Sequence, residues 1–182
     1  MKSKCHPSTL TVLGCAVFLL SAGCDTTQIA KGLSNVPTYS QGQPFESGPF
    51  QITVDKAYWA NQLGGYGLVK KPQGKFLVVH TVVKNLRNQT LTWSPPPIFT
   101  LTNPAGAEFN SGGQALSMDD LTGKCILGQG INPGMTLDGL TVFDIPPGEG
   151  YKLTLSVGVF RGGFKFSKGA PIAHIVLSPG TE

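Results

Sequence analysis

The chain has 182 residues, 40% of them hydrophobic and 13% charged, with 24 Gly and 14 Pro. That mix excludes a long disordered or coiled-coil protein and favours a turn-rich folded domain. The formal charge is +4, but without Lys2 and Lys4, which lie in a segment expected to be removed, 12 Lys and Arg face 10 Asp and Glu. No basic run extends beyond Lys70-Lys71, so the clustered cationic face that displaces phosphate counterions is missing and no nucleic acid is expected as a partner.

The N-terminus comes first in chain order. Lys2 and Lys4 precede an apolar stretch running through Leu10, Val12, Leu13 and Ala16 to Leu20, followed by the small residues Ser21-Ala22-Gly23 and then Cys24. This is the order of an export signal. Leu10 to Ala22 is 13 residues, short of the roughly 20 that a spanning helix needs. Leu20-Ser21-Ala22-Gly23-Cys24 resembles the lipobox of bacterial prolipoproteins. The resemblance implies cleavage before Cys24 and lipid on its thiol, with residues 1–23 as signal peptide. In that class the position three before the cysteine is more often Leu; here it is Ser21, with Leu20 one step further out. Cys15 competes poorly, because cutting there leaves a short apolar region and a hydrophobic new terminus. Asp25 resembles the inner-membrane retention signal of enteric-type bacteria. The expected location is therefore a bacterial cell membrane, lipid-anchored and facing the periplasm or exterior. Inner membrane is favoured if that sorting applies. Two or three acyl chains anchor a protein without a spanning helix, at about 0.8 kcal/mol per buried CH₂.

Once Cys5 and Cys15 leave and Cys24 is lipidated, only Cys125 remains. No intrachain disulfide is expected, and Cys125 reads as a small hydrophobe beside Ile126 and Leu127. Residues 24–44 comprise that cysteine and a polar, Gly- and Pro-containing stretch expected to be a flexible linker.

From residue 45 to 182 the pattern is that of strands. Phe50 to Val54 alternates apolar and polar residues. A Gly-rich loop, Gln62 to Gly74, leads to Lys75–Leu86, which is β-branched and apolar on both faces at its start, as in a central strand. Thr90 to Trp93 begins another strand, stopped by Pro95-Pro96-Pro97. Ile98 to Leu101, the turn Asn103-Pro104-Ala105-Gly106 and Glu108-Phe109 predict a hairpin. Ser111 to Gly130 is less regular, with one short helical turn expected over Ser117–Leu121. Leu140–Ile145, Tyr151–Phe160 and Ile172–Leu177 complete the set. No window keeps a helical period over three turns, and short strands between regular turns predict an all-β, antiparallel sandwich.

Gly74-Lys75-Phe76-Leu77-Val78-Val79, then Val82-Val83-Lys84-Asn85, then Pro133-Gly134 and Gly139 through Phe143 to Pro146, resemble the core motifs of a bacterial immunoglobulin-like family of unknown function. Its members are secreted proteins or lipoproteins, and its fold is similar to that of a mycobacterial immunoprotective extracellular antigen. The resemblance covers roughly residues 45–178 and implies an immunoglobulin-like sandwich. It brings no catalytic residues, and the stretch 111–130 departs from the shortest members.

Chemistry-bearing constellations are sparse. His80 and His174 both fall in predicted strands, without the spacing of a zinc site, and read as satisfied strand histidines. Asp119-Asp120 lacks the rest of a calcium loop. Ser47, Ser94, Ser111 and Ser117 sit in predicted turns outside any nucleophile elbow. No enzyme activity and no cofactor beyond the lipid on Cys24 are expected. Tyr66 in the Gly-rich loop, Trp59 before it and Trp93 before the prolines are candidate partner contacts, though large aromatics also fill sandwich cores. The expectation is a non-catalytic module that binds an envelope protein. The alternative is a binder of small molecules or carbohydrate.

Overall fold

The structure, a computed structural model, describes residues 36–65, 68–93, 97–111, 129–161 and 165–181. Fourteen strands follow one another there: β1 (Thr38–Ser40), β2 (Phe45–Ser47), β3 (Phe50–Ala60), β4 (Leu63–Gly65), β5 (Leu68–Lys70), β6 (Lys75–Asn85), β7 (Leu91–Thr92), β8 (Ile98–Thr102), β9 (Glu108–Asn110), β10 (Gly130–Ile131), β11 (Thr136–Ile145), β12 (Lys152–Arg161), β13 (Lys165–Val176) and β14 (Gly180–Thr181). One sheet has the order β1-β13-β12-β8-β9. The other runs β11-β6-β3-β14, with β2 also on β3; β4-β5 and β7-β10 form two small ribbons. The expected all-β sandwich is what forms, and secondary structure among the described residues is entirely strand and turn.

Alternation builds the core. Leu77, Val79 and Val83 on β6, Phe143 and Ile145 on β11, and Ile52 and Val54 on β3 meet Leu101, Leu153, Leu155, Ala173 and Ile175 of the facing sheet. Each Val, Leu, Ile or Phe among them, fully buried, contributes about 1.5–3 kcal/mol. A smaller apolar cluster lies on the other face of β6: Phe76 and Val78 with Ala60 and Val142, against which Leu63 of β4 packs. This explains why Lys75 to Val79 reads apolar on both faces.

Several predicted bounds shift. Residues 24–44 were expected to be linker throughout, yet β1 pairs parallel with β13, Thr38 opposite His174, and Tyr39 stacks on Phe45 at 4.7 Å. The polar sequence hides this because β1 is a three-residue edge strand with only Tyr39 turned to the core. β3 runs to Ala60, well past Val54. Val54 and Ala57 both enter the core although they are three apart, which strict alternation forbids. A bulge between Val54 and Lys56 inserts the extra residue. β13 begins at Lys165, not Ile172. Pro171 and Gly169 would argue against a strand there, but the register with β12 shifts around Ser156, opposite Pro171. The expected helical turn at 117–121 lies outside the described residues.

The two ends of the sandwich differ in what they carry. β11 ends at Ile145 beside Lys75, and β12 starts at Lys152 beside Thr102 and Val176. The loops 61–74, 103–107 and 146–150 therefore share one end, the upper end. The turns at 48–49, 86–90 and 132–135 share the lower end, where β3 and β11 begin and β6 finishes.

Candidate functional site

The most concentrated polar chemistry among the described residues stands on the outward face of the β11-β6-β3 sheet. His80 alternates with Val79 and Thr81, so its ring leaves the core. Its Nδ1 lies 2.6 Å from Asp55 Oδ1 and its Nε2 lies 2.9 Å from Asp138 Oδ2. Each carboxylate comes from a neighbouring strand. Asp138 sits on β11 opposite Val82, and Asp55 is the residue that the β3 bulge adds to the outward face. A neutral imidazole has one N–H and donates to one of the two carboxylates; only the imidazolium donates to both. The side chain of His80 is 17% exposed, with Asp55 at 33% and Asp138 at 45%. Both ring nitrogens are thus engaged by acids, which leaves none to activate a hydroxyl or thiol. The three groups do not converge on one point, and no cluster of metal-binding side chains occurs among the described residues.

The same bulge sends Lys56 to the neighbouring edge of β3. There a groove of about 410 Å³ is lined by Gln41, Lys56, Ala57, Tyr58, Ser178 and Thr181. Gln41 shapes its wall, accepting from the Ser178 backbone N–H at 3.1 Å and donating to the Asp55 carbonyl.

Other polar groups hold the frame. The Asp144 carboxylate accepts from the backbone N–H groups of Gln73 and Gly74, at 2.8 and 3.0 Å, fixing the entry to β6. A Cβ on Gly74 would sit 2.5 Å from the Ile145 carbonyl oxygen, so glycine is required there by close approach. The fully buried Asn85 amide donates to the Gln89 and Ile131 carbonyls and its oxygen accepts from the Arg87 N–H. Gly134 adopts φ 72° and donates its N–H to the Asn85 carbonyl. The motif residues Gly74, Asn85 and Gly134 are therefore architectural. The Tyr151 hydroxyl donates to the Pro146 carbonyl at 2.7 Å, and burial raises its pKa above the usual 10.0. His174 Nδ1 lies 2.9 Å from Thr154 Oγ1; burial, then the charge of Lys152, lowers its pKa from 6.5.

The residues put forward from the sequence fall in different places. Trp93 is only 5% exposed, tilted against Phe50 at 6.4 Å. It is a core side chain and offers no ring to a partner, because sandwich interiors need large apolar volume. Trp59 is half-buried on β3 and meets Tyr151 edge-on at 6.0 Å. Cys24, Asp25, Tyr66, Cys125 and Asp119-Asp120 lie outside the described residues. His80 and His174 are satisfied strand histidines, as expected. Sequence reasoning missed Asp55 and Asp138 as partners of His80. The available signal was the change of apolar parity between Val54 and Ala57, which marks a bulge.

A family model described as "Domain of unknown function (DUF4352)" matches residues 39–168. Among solved structures, a conserved hypothetical protein from Bacillus anthracis is similar at 20% identity with a TM-score of 0.52, covering 64% of this chain and 89% of that one. The secreted protein MPT63 from Mycobacterium tuberculosis is similar at 16% identity with a TM-score of 0.52, covering 79% of this chain and 99% of that one. Both likenesses concern the fold. No curated protein matches the chain. The family match takes in the β6 and β11 motifs together with the His80 cluster and spans 168 − 39 + 1 = 130 of 182 residues, so the chain belongs to the DUF4352 family.

Proposed function

We propose that the chain is a lipid-anchored envelope protein, attached through Cys24, whose sandwich is a non-catalytic module that binds an envelope protein through its upper-end loops. The observation that carries the binding reading is the β4–β5 hairpin. Leu63 packs its base onto the apolar cluster outside β6, while Val69 stands 57% exposed. A rigid scaffold presenting a loop with an exposed apolar side chain suits recognition. Tyr66, which lies between β4 and β5 in sequence, is the proposed anchor, with Trp59 on the strand that precedes β4. The non-catalytic reading draws on His80, both of whose ring nitrogens are held within the fold, and on His174, whose Nδ1 is held by Thr154. The anchor reading rests on the order of residues ending at Cys24, and the similar mycobacterial protein is described as secreted, which fits an exported chain.

The test has two arms. Cells fed labelled fatty acid should label the wild type and not Cys24→Ala; equal labelling of the two removes the anchor. Capture from membrane extracts should lose its partner when residues 61–74 are replaced by a Gly-Ser linker of equal length. Undiminished capture by that variant, with an unchanged melting curve, removes the hairpin from the site.

The groove beside Lys56 favours a second reading, a small-molecule or carbohydrate binder, since its lining combines a cation, hydroxyls and the Tyr58 ring. A panel of sugars and small anions that leaves the melting temperature unmoved counts against it.

A further inference from the structure

Two of the exposed large hydrophobic residues stand together at the lower end. Leu86 is 40% exposed and Met135 is 60% exposed. They belong to separate turns, but the turns are locked to each other. The Asn85 N–H donates to the Met135 carbonyl, Gly134 donates to the Asn85 carbonyl, and Leu86 donates to Pro49, each at 3.0–3.1 Å. Ordering these side chains at an interface therefore costs little further backbone freedom. Lys84 and Arg87 flank Leu86, both are exposed, and neither pairs with a carboxylate among the described residues. Of the acids on that face, Asp138 is tied to His80, and Glu46 on β2 is set off from Lys84 by Gln51 of β3. Apolar side chains rimmed by unpaired cations are the composition of a surface that enters the headgroup layer of an anionic membrane.

Chain direction points the same way. β1 runs parallel to β13, which begins at the lower end, and the Pro37 carbonyl accepts from His174 on the lower side of that pairing. Val36 and Pro37 thus lie on the side of the His174–Val176 pairing that faces the lower end, and β1 runs upward from them. Eleven residues, 25–35, separate Cys24 from Val36, and such a stretch spans at most about 36–40 Å when extended.

We propose that the lower end of the sandwich is a second membrane contact, in which Leu86 and Met135 insert at an anionic lipid surface and Lys84 and Arg87 meet its headgroups. This rests on the lipid-anchor reading above. It turns the β4–β5 hairpin and the other upper-end loops away from the bilayer, toward a partner.

The experiment uses the mature lipidated protein in vesicles of phosphatidylethanolamine with a minority of phosphatidylglycerol, carrying lipids brominated near the headgroup. Leu86→Trp and Met135→Trp are compared with Glu149→Trp, an upper-end probe, on the shared background of Trp59 and Trp93. Quenching at the two lower-end probes should exceed that at Glu149→Trp about two-fold, as expected for side chains at the acyl boundary. Adding Lys84→Glu and Arg87→Glu should bring it down to the upper-end level. Equal quenching at both ends, in protein whose Cys24 carries labelled fatty acid, overturns the docking and leaves the anchor standing. A doubled mass in detergent with equal quenching assigns the face to a second copy instead and also overturns it. Quenching indifferent to the charge reversals overturns the anionic-surface assignment, and an unlabelled Cys24 removes anchor and docking together.

Discussion

Asp55 Oδ1 lies 2.6 Å from His80 Nδ1 although 25 residues separate them, and the contact exists because a bulge turns Asp55 outward from β3. With Asp138 on the other ring nitrogen, one imidazole ties three strands together on the outward face, next to the apolar cluster of Phe76, Val78 and Val142. Both carboxylates are partly exposed, so solvent screening keeps the energy modest. A double-mutant cycle on Asp55→Asn and His80→Gln should return a coupling of about 1 kcal/mol by urea unfolding. A coupling indistinguishable from zero would show that the cluster does not stabilise the sheet.

Gly74→Ala should destabilise the fold by about 1–3 kcal/mol, because its Cβ would meet the Ile145 carbonyl oxygen at 2.5 Å and backbone must move. Gly148→Ala is the matched control: its nearest neighbour, an edge carbon of the Tyr151 ring, is 3.5 Å away, an ordinary contact. Equal melting temperatures for the two variants would contradict the close approach.

Trp93→Ala should cost about 3–5 kcal/mol, as for a large buried aromatic, whereas Tyr66→Ala should change partner capture and leave the melting temperature close to wild type. Trp93→Ala that melts normally would mean that its burial contributes nothing to stability.

The pH dependence carries a sign. Burial and Lys152 hold the folded-state pKa of His174 below 6.5, so the unfolded chain binds more protons than the folded one just under that value. The stability contributed by neutral His174 is present in full above about pH 6.5 and is lost as pH falls toward its folded-state pKa. His174→Gln should unfold with a shallower dependence between pH 7 and pH 5 than wild type, measured by denaturant midpoints. A steeper dependence in the variant would reverse the sign and refute the argument.

Much of the fold was legible in the residues. Lys75 to Asn85 announces a central strand through its apolar run, and Asn103 to Gly106 announces the β8–β9 turn, since Gly106 takes φ 85° there. The late start predicted for the domain and the short predictions for β3 and β13 share one physical cause. β1 gains its place from tertiary pairing, not from its own polar sequence, and bulges reset the period in the other two strands. The candidate site was less legible for the same reason. His80 was visible as a strand histidine, but only three-dimensional register sets Asp55 and Asp138 on either side of it. The proposed anchor, by contrast, rests on the local order of residues around Cys24 and is read without any fold.

The short strands at the margins bear on how this protein behaves where it is crowded, as on the membrane surface proposed above. An open strand edge is a template for another chain, and density in two dimensions raises that hazard. The first sheet ends in β1 and β9, three residues each, and β3 is flanked by the three-residue β2 and the two-residue β14. Three of the four sheet margins among the described residues therefore carry short terminal strands, although β1 covers only the last three residues of β13. Truncating the N-terminal side to residue 45 would strip β1 from β13 and free the His174–Val176 edge, so clumping of such a fragment would reflect in part where it was cut.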